Sequence, residues 1–198
     1  AAGRGRRLAP LTDERPKPLV RLAGATLIDH HLDRLVAAGF ERAVINLHHL
    51  GELLRTHLEA RPDRGLELIF TEETELLETA ETADLIFVDL YNDAGPDAAH
   101  LAWTFLKRCQ EKLNPGGWLV INQWGTDDDR PLGAALFRGL YHRHYWECPV
   151  KEGNVVVLVP ADLEQMLDVA DLRQRAEALA PRLGYSLDSL IEALRPAS

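Results

Sequence analysis

Apolar residues in the first eighty positions alternate between the helical and the strand period. Between residues 26 and 38 they recur every three or four positions and Gly39 follows, which predicts an amphipathic helix that ends at the glycine. The same spacing at 49–58 predicts a second helix. Short apolar segments at 43–47 and 65–71 predict strands. This part of the chain is therefore predicted to consist of a loop followed by helix, strand, helix and strand.

The second part of the chain has apolar segments of a different kind. Residues 84–89 and 118–122 are nearly continuous apolar runs, which are typical of strands covered by helices on both faces of a sheet. Residues 145–150 and 154–159 predict two strands joined by Lys-Glu-Gly, an antiparallel hairpin. Helical spacing is found at 97–113, 132–143, 162–179 and 187–194.

This alternation of helices and strands predicts an α/β fold. We expect a doubly wound, mostly parallel Rossmann-like sheet with an antiparallel edge hairpin, assembled from two half-domains. In such folds ligands bind at the carboxyl ends of the strands. Functional residues are therefore expected in the loops that follow the strands.

Composition and charge limit the kinds of partner. The 198 residues, of which 46% are hydrophobic and 27% charged, suffice for one ordinary core or two small ones. A net charge of -9 argues against a nucleic-acid partner, because neutralising phosphates requires positive charge. Basic residues nevertheless cluster near the start, which predicts a small anionic ligand there. The cluster comprises Arg4, Arg6, Arg7, Arg15, Lys17 and Arg21.

The sequence also carries signals about compartment. No apolar run approaches the ~20 residues that cross a bilayer, so we expect a cytoplasmic protein without a membrane partner. Cys109 and Cys148 lie far apart and lack a metal-type spacing, which favours two reduced thiols. The chain begins with Ala1 rather than Met, and we expect a segment upstream of it. The oligomeric state is left open.

The first nineteen residues contain a specific motif. Residues 3–12 have the pattern Gly-x-Gly-x-Arg-Leu-x-Pro-Leu-Thr, and Pro-Lys-Pro-Leu follows at 16–19. Glycines allow backbone amides to approach a triphosphate, while Arg7 and Lys17 add positive charge. The whole string resembles the signature of sugar-1-phosphate nucleotidyltransferases, including the mannose-1-phosphate and N-acetylmuramate-1-phosphate types. The resemblance covers residues 1–80, which we interpret as a nucleotidyltransferase-like half-domain.

This resemblance implies an in-line displacement at the α-phosphorus of a nucleoside triphosphate, with Mg²⁺ neutralising charge. Arg7 and Lys17 are the implied catalytic residues. A nucleotide or a sugar phosphate is the implied small-molecule partner. The residues implied to bind the nucleotide are Gly3, Gly5, Glu78, Thr79 and Ala80.

The sequence departs from the family pattern in several places. The family has an apolar strand directly before the glycine loop, a glycine-rich segment that leads to a metal-binding Asp, and a sugar-binding part. None of these is found in this sequence. A basic loop without a ligand is therefore an alternative interpretation, and the metal ligands are unknown.

Residues 83–198 have a different resemblance. The segments 84–96 and 113–122 are similar to spermidine synthases and their relatives on the class I methyltransferase fold. In that family an Asp at the end of the strand orients and deprotonates the attacking amine, and Asp89 matches it. Asn92 occupies the position of a second Asp, and the glycine-rich loop that binds the donor is not found. Asp89 as a strand-end residue without catalytic function is the alternative.

Three functional hypotheses follow from the two resemblances. The first is a transferase-type protein whose nucleotidyltransferase-like loop binds nucleotide or sugar phosphate without a complete catalytic site. The second is a spermidine synthase-like protein, with C-terminal helices, that lacks its donor-binding half. The third is a non-catalytic chimera in which the fold survives and the sites do not.

Overall fold

The computed structural model describes residues 12, 14–47, 50–72, 82–88, 91–92, 95–96, 103–150 and 153–197. These residues fall into two compact units. The first contains the elements up to residue 72 and the second those from residue 82, except that 91–95 and 182–184 belong to the first. Within the described residues no helix has the length and apolar character needed to span a membrane.

The first unit is built from two short sheets and two helices. A short 3-10 helix, Lys17–Leu19, leads into an antiparallel pair of two-residue strands. The later strands β3 and β4 pair in parallel over six residues each. The elements are β1 (Arg21–Leu22), β2 (Ala25–Thr26), α1 (Leu27–Ala38), β3 (Arg42–Leu47), α2 (Gly51–Glu59) and β4 (Glu67–Glu72).

Helix α1 begins and ends at residues that suit those positions. Thr26 accepts a hydrogen bond from the backbone of Asp29, whose side chain accepts in return from the Thr26 backbone, which forms a capping box. Gly39 follows with a φ of 93°, a left-handed conformation that stops the helix and that a side chain would disfavour. Leu32 on the inner face is buried.

The core of the first unit lies between the two helices and the β3–β4 pair. Both helices, β3, the 3-10 helix and the residue before β4 contribute buried side chains, and partly buried apolar residues of α1, β3 and β4 pack around them. The buried members are Leu19, Leu32, Ile45, Leu47, Leu54, Leu58 and Leu66.

The second unit contains a five-stranded sheet in the order β11-β9-β10-β8-β5. Strands β5 and β8 are parallel, and each further pair is antiparallel. It follows that β5, β8 and β9 run in one direction and β10 and β11 in the other. The strands are β5 (Ala83–Val88), β8 (Leu113–Trp124), β9 (Trp146–Pro149), β10 (Asn154–Pro160) and β11 (Arg195–Pro196), while Tyr91–Asn92 (β6) and Gly95–Pro96 (β7) form a separate small pair.

Four helices accompany this sheet: α3 (Trp103–Glu111), α4 (Ala134–Tyr141), α5 (Val169–Leu183) and α6 (Asp188–Ala193). Phe137 and Tyr141 of α4 are completely buried, and their rings lie near that of Tyr145. Alternate residues of the central strands are buried as well, such as Ile121 and Val157, which pair across β8 and β10. The face of the sheet that carries Ile121 and Val157 is buried and forms part of the core of the second unit.

The predicted α/β, Rossmann-like class with an antiparallel edge hairpin is confirmed. Helix α5 is the clearest difference from the sequence prediction, because it begins at Val169 rather than near residue 162. Asp168 accepts hydrogen bonds from the backbones of Ala170 and Asp171 and caps the helix. Asp162 accepts from Glu164 and closes only a turn, so of two possible caps the later one starts the helix.

Candidate functional site

Lys17 is the predicted site residue that the structure describes. It lies in the 3-10 helix, where the Leu19 amide donates to Pro16 (2.8 Å) and the Val20 amide donates to Lys17 (3.0 Å). Pro16 and Leu19 are buried, whereas the Lys17 side chain is exposed. The backbone that carries Lys17 is therefore held on the core of the first unit while its ammonium group faces solvent.

The other predicted site residues lie outside the described residues. The structure therefore does not test whether they come together with Lys17. They are Gly3, Gly5, Arg7, Glu78, Thr79, Ala80 and Asp89.

Strand β3 ends at Leu47 and helix α2 begins at Gly51. Leu50 adopts a left-handed conformation there, with a φ of 57°, and Gly51 begins the helix. A Cβ atom added to Gly51 would lie 3.0 Å from the Cβ of Leu47, so a larger residue would push helix and strand apart. Helix starts at the carboxyl ends of parallel strands are the places where α/β proteins bind anions.

A charged network joins α1 to the end of α2. The Asp29 carboxylate lies 3.0 Å from Nε2 of His57 and accepts a hydrogen bond of 2.6 Å from the Thr26 hydroxyl. Arg61 pairs with both Asp29 and Asp33. Burial acts to raise the pKa of Asp29, but the hydrogen bonds from Thr26 and His57 hold that pKa below its usual value. Because every member is paired within the unit, we interpret the network as structural.

In the second unit, side chains tie the start of β5 to the turn before the main part of β8. Asn114 donates to Asp84 (2.8 Å) and accepts from Thr82. At Gly117 an added Cβ atom would lie 2.9 Å from the carbonyl oxygen of Asn114 and 3.0 Å from that of Asp84. The Pro-Gly-Gly turn thus allows a close approach of backbones that positions β5, whose last described residue is Val88.

Sequence analysis missed one charged residue of the second unit. Glu147 lies on the inner face of β9 with 1% of its surface exposed, and Arg130 and Arg195 pair with it at 3.0 and 3.4 Å. The one sequence signal for its burial is that a single Glu stands between the aromatic and apolar residues of β9. Its partners are 17 and 48 residues away in sequence, so the pairing could not be inferred.

The described residues do not form a metal site by themselves. Within them, no three His, Cys, Asp or Glu side chains come together as metal ligands. Mg²⁺ in nucleotide sites is commonly held by one or two carboxylates together with phosphate oxygens, not by a cage of protein ligands. The Mg²⁺ implied by the resemblance therefore stays a prediction.

The chain belongs to the α/β class, and its relatives in sequence and its neighbours in structure come from different groups of known proteins. The family model of nucleotidyl transferases matches residues 1–99, which is half of the chain. The chain therefore belongs to the nucleotidyl transferase family. This confirms the resemblance of the first eighty residues to that family.

The similar proteins of this family are sugar-1-phosphate nucleotidyltransferases. N-acetylmuramate alpha-1-phosphate uridylyltransferase of Caulobacter vibrioides is 52% identical over 82 residues, which are 40% of this chain and 34% of that protein. The mannose-1-phosphate guanylyltransferase catalytic subunit beta of Drosophila pseudoobscura pseudoobscura is 42% identical over 79 residues, 39% of this chain and 21% of that protein. The chain thus spans about a third or less of the curated relatives that it matches.

Solved structures with a similar fold come from another group. Human methyltransferase-like protein 13, solved in complex with SAH, has a TM-score of 0.56 at 15% identity, over 80% of this chain and 90% of that one. A probable spermidine synthase from Corynebacterium glutamicum has a TM-score of 0.50 at 14% identity, over 86% and 74% of the two chains. The spermidine synthase-like and methyltransferase-like resemblance is thus confirmed for the fold, and the combination is consistent with a chimera.

Proposed function

We propose that the first unit binds a nucleoside triphosphate, UTP before GTP, together with a sugar 1-phosphate, at the Gly-x-Gly-x-Arg loop of residues 3–7. The observation that carries this proposal is the 52% identity over 82 residues to an N-acetylmuramate alpha-1-phosphate uridylyltransferase. The lower identity to a guanylyltransferase, 42%, makes GTP the competing nucleotide.

The geometry around Lys17 supports the proposal. Proline residues on both sides and the buried Leu19 restrain the backbone at Lys17, so its charge is carried by a fixed turn. Because the backbone at Lys17 is already fixed, binding a phosphate has to order only the lysine side chain, which lowers the entropy lost on binding. Arg7 is expected to supply the second positive charge.

In the reaction of the family, an oxygen of the sugar phosphate attacks the α-phosphorus and pyrophosphate leaves. Lys17 and Arg7 would stabilise the negative charge on the phosphates, and a bound Mg²⁺ supplies further neutralisation. We propose binding without full turnover, because the segments that the resemblance assigns to sugar binding are not found in this sequence.

The test is a thermal-shift and calorimetric titration of the whole chain with UTP, GTP and Mg²⁺. We expect UTP to raise the melting temperature more than GTP does, and Lys17→Ala and Arg7→Ala to remove the shift. Arg42→Ala is the matched control, because Arg42 is an exposed cation of the same unit, at the amino end of β3, that lies outside the motif. A parent chain whose melting temperature does not change at millimolar UTP or GTP, or a shift that survives both Lys17→Ala and Arg7→Ala, would contradict the proposal.

A second assay examines turnover. With UTP and N-acetylmuramate 1-phosphate as substrates, we expect pyrophosphate release at the background rate. Release that depends on Arg7 and Lys17 would show a complete active site and contradict the proposed absence of turnover.

The fold of the second unit favours one alternative, a spermidine synthase-like binding site at the end of β5. The supporting observation is the TM-score of 0.50 to a probable spermidine synthase. This alternative expects a polyamine or a decarboxylated sulfonium donor to raise the melting temperature, and Asp89→Ala to remove the effect. Indifference to both ligand classes would leave the non-catalytic chimera.

A further inference from the structure

Arg15 lies two residues before Lys17, in the same motif. The side chains of Arg15 and Lys17 are exposed, and Pro16 between them is buried. Thr12 and Leu19, on either side of the two cations, are buried as well, with 3% and 9% of their surfaces exposed. This segment is therefore held by buried residues while it presents two positive charges to solvent.

The backbone between the two cations has little conformational freedom. Pro16 is extended, with a φ of -62° and a ψ of 143°, and Lys17 begins the 3-10 helix. A proline fixes its own φ and restricts the residue before it, here Arg15, to extended conformations. Two residues of extended chain span at most about 7 Å. The side chains of Arg15 and Lys17 are therefore close enough to reach one phosphate group together.

Arg15 differs from the other described arginines between residues 14 and 72, because the fold uses each of those. Arg42 pairs with Glu67 at 2.8 Å, and the Arg55 guanidinium lies 5.0 Å from the centroid of the Phe70 ring. The others that make interactions are Arg21, Arg34, Arg61 and Arg64.

The side chains of Arg15 and Lys17 are the two lysine or arginine side chains in the described stretch 14–72 that make no hydrogen bond, ion pair or ring contact. A ligand that binds Arg42 would have to compete with Glu67 for the guanidinium. A ligand that binds Arg15 has to displace only water. The two cations that the fold leaves available are thus neighbours in one motif.

The acidic neighbours do not cancel the positive charge of the motif. Residues 3–19 contain five basic residues and two acidic ones, Asp13 and Glu14, which leaves an excess of three positive charges. Glu14 is exposed and forms no ion pair with Arg15 in the described part of the chain. A local positive excess in a chain with a net charge of -9 is suited to an anionic ligand.

We propose that Arg15 is a further phosphate-binding residue, whose guanidinium donates two hydrogen bonds to oxygens of one phosphate group beside Lys17. This role rests on the proposed function, because the phosphate belongs to the nucleoside triphosphate or to the sugar 1-phosphate. Lys17 supplies a point charge, whereas the planar fork of Arg15 also fixes the orientation of the phosphate.

The test is isothermal titration calorimetry of the full chain with UTP and Mg²⁺ and, separately, with N-acetylmuramate 1-phosphate. We expect Arg15→Gln to weaken the binding of at least one ligand by about ten-fold or more, and that ligand identifies the phosphate. Arg15→Lys keeps the charge but loses the fork, so it should recover only part of the affinity. Arg42→Gln removes the same charge from an exposed arginine that Glu67 already pairs, and it should bind as the parent chain does.

Glu14→Gln separates a direct contact from an effect of net charge. It changes the charge of the motif by the same amount as Arg15→Gln, in the opposite sense. If Arg15 makes a direct contact, Arg15→Gln should weaken binding much more than Glu14→Gln strengthens it. Equal and opposite effects, together with parent affinity in Arg15→Lys, would overturn the proposed contact.

The melting temperature without ligand separates a lost ligand contact from a lost fold. Because the Arg15 side chain makes no hydrogen bond or ion pair within the described residues, Arg15→Gln should melt at the parent temperature. A clearly lower melting temperature would show that Arg15 stabilises the fold and would count against the proposed role.

The same titrations distinguish failure of the Arg15 contact from failure of the proposed function. A parent chain that binds neither ligand at millimolar concentration contradicts the proposed function, and the role of Arg15 with it. A parent chain that binds, together with an Arg15→Gln variant that binds both ligands equally well, overturns only the role of Arg15.

Discussion

The two units differ in sequence similarity to known relatives and in the extent of their sheets. The first is 52% identical over 82 residues to a curated nucleotidyltransferase, yet its described strands form only two-stranded sheets. The second has a five-stranded sheet with helices. The solved structures of similar fold match 80% or more of the whole chain at about 15% identity. The unit with the high sequence identity to known enzymes has the smaller sheets, and the larger sheet lies in the other unit. The difference illustrates that a functional motif and the layers of a fold are separable properties.

The two units also differ in the contacts that stabilise them. A two-stranded sheet is only marginally stable without packing against helices, so the first unit depends on the leucines of α1 and α2. The second unit buries alternate residues of its central strands as well as the aromatic rings of Phe137 and Tyr141 in α4. All four tryptophans, at positions 103, 118, 124 and 146, belong to the second unit. Tryptophan fluorescence therefore reports on that unit, whereas far-ultraviolet circular dichroism reports on both.

The largest effect is expected from Phe137→Ala in the second unit. Phe137 is completely buried and stacks near Tyr141 at 6.5 Å, so its removal leaves a cavity and should cost about 3–5 kcal/mol of unfolding free energy. Urea titration followed by tryptophan fluorescence measures this loss. A fluorescence midpoint close to that of the parent chain would contradict the assignment of Phe137 to the core.

Leu54→Ala makes the corresponding change in the first unit. Leu54 is 2% exposed and lies in the small core between α1, α2 and the β3–β4 pair, where truncation should cost about 2–5 kcal/mol. We expect the circular dichroism transition to move to lower urea and the fluorescence transition to move less. Equal shifts of both signals would show that the two units unfold as one and would remove the energetic contrast between them. Leu53→Ala, a half-exposed neighbour on the same helix, is the control.

Gly117→Ala tests the junction of β5 with β8. The added methyl group would meet only backbone carbonyl oxygens, which cannot rotate away, so we expect a loss of about 1–3 kcal/mol in the fluorescence transition. Gly139→Ala is the comparison, because its methyl group would meet the side chain of Trp103 at 3.1 Å, which can move. A smaller loss for Gly117→Ala than for Gly139→Ala would contradict the importance of this close approach.

The smallest effect is expected from Asp29→Asn, and it depends on pH. The folded-state pKa of Asp29 lies below the usual 3.8, so its carboxylate contributes stability above about pH 4 and loses it as the pH falls through the folded-state value. At pH 7 we expect Asp29→Asn to cost about 1 kcal/mol. The parent and the variant should approach each other in stability below pH 4. A difference that is constant from pH 7 to pH 3 would contradict a stabilising Asp29 carboxylate.

Much of the fold could be predicted from local patterns. Helix α1 was predicted at 26–38 and is found at Leu27–Ala38, because a capping threonine and a terminal glycine mark its ends directly. The hairpin strands were predicted at 145–150 and 154–159 and are found at Trp146–Pro149 and Asn154–Pro160. Strand β8 begins earlier than predicted, at Leu113, since the Pro-Gly-Gly turn bulges within the strand.

The candidate sites could be predicted only where a contiguous motif carries them. The glycine loop is such a motif, and family membership supports that prediction without testing its individual residues. The pairing of Glu147 with Arg130 and Arg195 has no such motif, because the partners are 17 and 48 residues away in sequence. Pairing across such distances depends on the tertiary fold, which residue patterns do not specify.

The burial of both cysteines has a practical consequence for labelling. Cys109 and Cys148 are free and buried, and burial raises the pKa of Cys109 to about 12 and raises that of Cys148 as well. The native thiols should therefore remain protonated and react slowly with maleimides at neutral pH. A single cysteine introduced on the surface could then carry a fluorophore or spin label selectively, without first replacing either native cysteine.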